Sequence, residues 1–193
     1  MRRLDTKTIV GLSLFTAIVV VLQLLGSFIR FGMFSISLVL VPIVVGAALY
    51  GAASGAWLGL VFAAVVLFSG DASAFFVVNP LGTVLTVIAK GLLSGYAAGI
   101  LYRTLRRKNE TVAVIASAVV CPVVNTGIFL IGCVLFFMEP VSAWAEALGF
   151  GGNVMRYMFL GLAGGNFLFE LLFNVVLSPV IVRLVRLGKV RIR

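Results

Sequence analysis

Long apolar runs, separated by short polar or glycine-containing segments, extend over nearly the whole chain. Of its 193 residues, 62% are hydrophobic and 11% are charged. A soluble domain carries about 25% charged residues, and a helix needs roughly 20 mainly apolar residues to cross the hydrocarbon core of a bilayer. The pattern therefore predicts an all-α integral membrane protein. The length favours a single transmembrane domain over residues 1–193.

The apolar runs divide into six predicted spans, which together would form a six-transmembrane-helix bundle. The spans cover approximately residues 8–29, 34–50, 52–68, 81–102, 112–138 and 154–182. The join between the second and third spans is short enough to require a tight turn, so these two helices should be antiparallel neighbours. Glycines recur every fourth residue at 51, 55 and 59 and again at 91, 95 and 99. This spacing allows membrane helices to approach closely, so we interpret both glycine series as packing surfaces.

The basic residues predict the orientation of the bundle. Most of the 15 lysines and arginines fall in residues 2–7, 103–108 and 183–193. Six spans put all three clusters on one face, and cytoplasmic segments carry the excess of basic residues. Both termini are therefore predicted to be cytoplasmic. The net charge of +9 is explained by this topology, with the lipid bilayer as a partner and no nucleic acid.

Three polar residues are expected at one depth inside the membrane. Lys90, Asn125 and Glu170 should each lie about 15–20 Å from the outer edge of the core. Asn166, Glu170 and Asn174 are spaced four apart, so on a helix they form one polar stripe. Lys90 and Glu170 are predicted to form a buried ion pair with hydrogen bonds from Asn125 and Asn166. Such a pair either locks the bundle or forms the floor of a binding cavity, and both interpretations stay open.

Two polar residues at the outer face complete the candidate binding set. Arg30 departs from the basic-inside pattern, so it is either a contact for an anionic ligand or an interfacial anchor. Asn79 is either a ligand contact or, like Asp71, a turn-forming residue. The predicted substrate-binding residues are Arg30, Asn79, Lys90, Asn125, Asn166 and Glu170.

Sequence signatures of enzymes are missing from the chain. It contains no histidine and no Walker-type phosphate-binding motif. Cys121 and Cys133 would lie about 18 Å apart on a straight helix, too far for a disulfide bond. We therefore predict a non-enzymatic protein with no catalytic residue, no cofactor and no metal site.

Five segments of the chain are similar to segments of a known family. The most specific are residues 34–46 and 47–59, and residues 79–83, 90–91 and 121–127 support them. These segments resemble the substrate-binding S component of an energy-coupling factor (ECF) vitamin transporter. The resemblance implies six helices, cytoplasmic termini and a place in a prokaryotic plasma membrane. It also implies an ABC-type importer in which a transmembrane coupling protein and two ATPase subunits are the partners.

The resemblance further implies a mechanism and a substrate class. An S component captures a vitamin from outside in a pocket closed by the loops after its first, third and fifth helices, and then rotates within the membrane. Docking on the coupling protein would involve small residues of the first helix, here Gly11, Ser13 and Ala17. The resemblance is strongest to the pantothenate and folate group. Pantothenate is favoured over folate, because a folate pocket should offer more aromatic stacking surface.

A second class of function is also compatible with the residues. A self-sufficient secondary transporter could use Lys90 and Glu170 as its coupling pair. Against it, the chain is short for a secondary transporter and shows no inverted repeat.

Overall fold

The computed structural model describes residues 6–28, 30–31, 34–35 and 38–192; of residues 30–31, 34–35 and 189–192 it describes only the backbone. The Arg30 side chain therefore lies outside the described part of the chain. The described elements are α1 (Thr6–Ser27), β1 (Arg30–Phe31), β2 (Phe34–Ser35), α2 (Leu40–Tyr50), α3 (Ala52–Phe68), α4 (Ser73–Phe76), α5 (Pro80–Leu105), α6 (Glu110–Phe136), α7 (Met138–Ala147), α8 (Val154–Arg156), a π-helix (Tyr157–Leu162), α9 (Gly164–Val176) and α10 (Ser178–Ile192).

Local sequence signals mark the starts of the two longest helices. Pro80 opens α5, where a missing N–H costs nothing, and Asn79 Oδ1 accepts a hydrogen bond from the Gly82 N–H at 2.9 Å. Asn109 caps α6 in the same way through the Thr111 N–H at 2.9 Å. The short loop between them makes α5 and α6 antiparallel neighbours. Gly51, at φ 103°, provides the predicted tight turn between α2 and α3.

The glycine series form the interface between α3 and α5. A Cβ atom added at Gly59 would overlap the carbonyl oxygen of Gly91, and one added at Gly55 would overlap that of Gly95. Only hydrogen fits between the two backbones at these positions. The interpretation of the glycines as packing residues is therefore confirmed for Gly55, Gly59, Gly91 and Gly95. It is wrong for Gly51, which lies in the turn before α3, where an added Cβ atom would meet nothing within 4 Å.

Apolar helices long enough to cross a bilayer make this a multi-pass membrane protein. Within the described residues, α1, α5 and α6 satisfy the length and hydropathy requirements, and the bent pair 154–162 and 164–176 would make a fourth span. The apolar helices α2 and α3 are shorter, with 11 and 17 residues. Helix α2 begins at Leu40 and not at residue 34, because residues 34–35 pair with residues 30–31 as antiparallel strands.

The predicted sixth span is not one continuous helix. After α8 the backbone forms a π-helix, bends by 42° at Ala163, and continues as α9 and then α10. π-Helical turns are rare and occur frequently at functional sites. The predicted loops at 69–80 and 139–153 likewise contain the helical segments α4 and α7.

Buried apolar side chains form two clusters. The larger one joins α1, α2, α3, α5, α6 and α10. The smaller one lies at the end of the bundle where α4 and α7 are found and includes Phe75 and Phe137. Cys121 and Cys133 are both buried with free thiols, as their predicted separation requires.

Candidate functional site

A cavity lined by both polar and apolar side chains lies between the helices at the α4–α7 end of the bundle, opposite the basic loop between α5 and α6. It contains about 760 Å³ of space free of atoms, including the open region at its mouth. Residues from α1, α3, α5, α6 and α9 contribute to its wall. The lining residues are Gln23, Val66, Asp71, Ala72, Phe75, Thr83, Thr86, Val87, Lys90, Asn125, Thr126, Phe129, Phe137, Leu162, Ala163, Asn166, Phe167 and Glu170.

Lys90 is the basic residue among the described residues that line this cavity. Its ammonium nitrogen lies 5.5 Å from the ring centre of Phe62 and 5.7 Å from that of Phe129. Ring faces attract a cation, and they do so more strongly where water is excluded. Among the described contacts of Lys90 there is no ion pair with Glu170 within 4 Å. The predicted direct pair is therefore replaced by ring contacts, while both charged groups line the same cavity.

Helix α9 brings two further predicted residues to the cavity. Asn166 and Glu170 both line it, and Glu170 is only 5% exposed. Asn174, the third member of the polar stripe, donates from Nδ2 to the backbone carbonyl of Glu170 at 2.8 Å and is not a lining residue. The four-residue spacing thus brings two of the three stripe residues into the site.

Asn125 and Thr86 contribute polar atoms from the facing helices α6 and α5. Asn125 is 5% exposed and Thr86 is 6% exposed. Asn125 Oδ1 and Thr86 Oγ1 are buried and accept no hydrogen bond from the described residues. Buried polar atoms normally have a partner, so these two are suited to meet a polar ligand.

A network between Gln23 and Asp71 closes another side of the cavity. Gln23 Nε2 donates to Asp71 Oδ2 at 2.9 Å, and Ser69 Oγ donates to the same oxygen at 3.0 Å. Gln23 lies in α1 and is 1% exposed. The network ties the first helix to the segment after α3.

Aromatic rings of α4, α6, α7 and the junction between α6 and α7 lie together at the α4–α7 end of the cavity. The Phe75 ring lies edge-on to three others, with centre distances of 5.6 Å to Phe129, 5.0 Å to Phe137 and 5.4 Å to Trp144. Phe75, Phe129 and Phe137 also line the cavity. We call these four rings the aromatic cover.

The structure brings together four of the six predicted binding residues: Lys90, Asn125, Asn166 and Glu170. Asn79 does not line the cavity, because its side chain caps α5. Arg30 remains a prediction, since its side chain lies outside the described residues. Of the predicted docking residues, Ser13 and Ala17 are exposed on α1. Gly11 instead lies under the Tyr50 hydroxyl, so it packs within the chain.

The sequence interpretation missed Gln23, Thr83 and Thr86 and gave Asp71 only a turn-forming role. Gln23 carried a usable signal, because a polar amide within an apolar span usually faces the bundle interior. Thr83 and Thr86 carried none, since threonine hydroxyls in membrane helices often bond to their own backbone. Thr83 does so with the carbonyl of Asn79.

The described residues contain no group of three or more histidine, cysteine, aspartate or glutamate side chains that could hold a metal ion. The cavity instead combines one ammonium group, two carboxylates, amides, hydroxyls and aromatic rings. This set can bind a small polar organic molecule through hydrogen bonds and ring contacts.

Comparison with known proteins gives one family. No curated protein and no solved structure matches the chain significantly. A family model described as "ECF transporter, substrate-specific component" matches residues 7–182, which includes every helix that contributes to the cavity. The chain therefore belongs to the family of substrate-specific components of ECF transporters.

Proposed function

We propose that this protein is the membrane-embedded substrate-binding subunit of an ECF-type ABC importer for a vitamin. The observation that carries the proposal is the cavity, which gathers Lys90, Asp71 and Glu170 inside a mainly apolar bundle. Placing charges there is unfavourable for stability alone, which supports a role in binding.

The vitamin enters from the outer face of a prokaryotic plasma membrane. Under the predicted six-span topology, the basic loop between α5 and α6 is cytoplasmic, as are both termini. The cavity lies at the opposite end of α5, because Thr83 is near the start of that helix and the basic loop follows its end. The aromatic cover then separates the bound vitamin from the outside.

Release on the inner side follows from rotation of the bundle, driven by a coupling protein and two ATPase subunits. Ser13 and Ala17 lie on the exposed surface of α1 and form the proposed contact with the coupling protein. Small side chains allow close approach between membrane helices. Gly11 is half-buried and packs under Tyr50, so the proposal assigns the contact to Ser13 and Ala17.

Pantothenate is the substrate that the sequence resemblance favours, with folate next. The experiment that tests the function is uptake of radiolabelled vitamins, starting with pantothenate, in cells expressing this chain with and without an ECF module. Uptake that requires the module supports the proposal. Equal uptake without the module would overturn it in favour of a secondary transporter in which Lys90 and Glu170 couple substrate to ion movement.

The docking surface is tested by Ala17→Trp. The larger ring should prevent close packing on the coupling protein and reduce uptake to background, while binding by the isolated subunit stays unchanged. Val112→Trp is the matched control, because Val112 is also an exposed apolar residue but lies on α6. Normal uptake by the Ala17 variant would move the docking surface elsewhere.

A further inference from the structure

The acceptor atoms of the cavity carry information about the ligand that the family assignment does not contain. Gln23 Oε1 and Asp71 Oδ1 are both buried, and neither accepts a hydrogen bond from the described residues. Both residues line the cavity. A buried acceptor without a donor costs stability, so the site is arranged for donors that a ligand brings.

The orientation of the Gln23 amide is fixed by its partner. A carboxylate oxygen only accepts hydrogen bonds, so the atom of Gln23 that lies 2.9 Å from Asp71 Oδ2 must be the NH₂ nitrogen. The carbonyl oxygen Oε1 is then the other atom. Gln23 and Asp71 therefore present two acceptors on neighbouring, hydrogen-bonded groups.

Two more acceptors extend this polarity. Thr86 Oγ1 and Asn125 Oδ1 are also buried without a described partner. Lys90, the ammonium group in the described lining, is already placed over two aromatic rings. The described wall thus favours a ligand that donates hydrogen bonds.

The remaining wall favours a flat ring. Four phenylalanines, Phe75, Phe129, Phe137 and Phe167, line the cavity. Aromatic rings attract other rings in edge-on or offset arrangements, and they also attract cations. Aliphatic ligands gain only the burial of apolar surface from the same side chains.

We infer that the ligand is an aromatic nitrogen heterocycle bearing amino groups, whose N–H donors are read by Gln23 Oε1 and Asp71 Oδ1. This inference rests on the proposed binding function and makes it more specific. It ranks amino-substituted heterocycles above pantothenate, an aliphatic carboxylate, as substrates of this chain.

Two pteridines of nearly the same shape test the inference, with the full-length protein in nanodiscs. 2,4-Diaminopteridine carries two amino groups, and 2,4-dimethylpteridine carries methyl groups of similar size in their place. Titration calorimetry should show that the diamino compound binds at least about tenfold more tightly, because hydrogen bonds to a carboxylate are among the stronger ones. Pantothenate is the third probe and should bind more weakly than the diamino compound.

The Asp71→Asn variant tests whether the amino groups of the ligand bind at residue 71. Gln23 Nε2 and Ser69 Oγ both donate to one oxygen of residue 71, so an amide there keeps its oxygen toward them and turns its NH₂ toward the cavity. D71N should therefore weaken diaminopteridine about tenfold and leave dimethylpteridine unchanged. Glu139→Gln is the matched control, since Glu139 is an exposed acid of α7 outside the cavity.

Three results with the pteridines would overturn the inference, and the first two need no variant to fold. These are failure of diaminopteridine to bind, equal affinity for the two pteridines, and equal weakening of both pteridines by D71N. Tight binding of pantothenate with module-dependent uptake would overturn the inference and uphold the proposed function. Uptake without the module would instead contradict the proposed function, regardless of the affinities measured for the pteridines.

Discussion

Helix α5 packs in two different ways on two of its faces. On one face, Gly91 and Gly95 touch the backbone of α3 so closely that no side-chain atom fits between the helices. On another face, Thr86 and Lys90 border the cavity. Lys90 and Gly91 are adjacent in the chain, so one residue step separates the tight interface from the cavity.

The difference shows how this bundle combines rigidity with binding. Glycine contacts give the two backbones a large area of van der Waals contact, which is a main source of helix association in lipid. The cavity face gives up such contacts and leaves polar atoms such as Thr86 Oγ1 without a described partner. We infer that the α3–α5 interface supports the helix from which the cavity is built.

The largest effect is expected where the two backbones touch. Gly59→Ala places a methyl group against the Gly91 carbonyl, which cannot move without shifting α5. We expect the free energy of unfolding to fall by about 3 kcal/mol. Thermal denaturation in detergent measures the change. Gly127→Ala is the control, because a Cβ atom there meets nothing within 4 Å; equal melting temperatures for the two variants would remove the distinction between the interface and open positions.

A smaller effect, on binding and not on folding, is expected at the cavity. Glu170→Gln keeps the shape of the side chain but removes its charge. The affinity for the transported vitamin should fall about tenfold to a hundredfold, as for loss of a charged hydrogen bond. Titration calorimetry with the purified subunit checks this. Glu146→Gln, on the exposed surface of α7, should bind normally, and wild-type affinity in the Glu170 variant would exclude that carboxylate from the binding site.

The smallest effect is expected at the start of α5. Asn79→Ala removes the hydrogen bond to the Gly82 N–H, and loss of such a cap costs about 1 kcal/mol. Stability should therefore fall slightly while the affinity for the vitamin is unchanged. The same melting and binding assays apply. A clear loss of affinity with unchanged stability would mean that Asn79 contacts the ligand, against the position seen here.

The deep polar residues were the part of the site that sequence could predict best. Lys90, Asn125 and Glu170 were expected at one depth, because helix rise and span length fix how far each lies from the end of its span. All three line one cavity. The direct contact between Lys90 and Glu170 was not predictable in the same way, because it depends on the rotation of each helix about its axis. The structure gives Lys90 the Phe62 and Phe129 rings as neighbours.

The residues at the cavity's α4–α7 end were harder to predict. Asp71 looked like a turn former, because aspartate is common in turns for purely local reasons. Its partner Gln23 is 48 positions away in the sequence, and only the packing of α1 brings the two side chains within hydrogen-bonding distance. The break at Ala163 was also missed, because the apolar sequence from residue 154 onward is compatible with a straight helix.

The sequence by itself determined that the chain is an all-α membrane protein, approximately where α5 and α6 lie, and that a spacing of four allows close contact at Gly55, Gly59, Gly91 and Gly95. These properties depend on hydropathy, capping groups and side-chain size, all of which are local. Tertiary structure decided that Gln23 meets Asp71, that Lys90 lies over aromatic rings, and that Asn79 stays outside the cavity. Those outcomes depend on how helices rotate and tilt against one another, which is set by packing summed over many distant side chains.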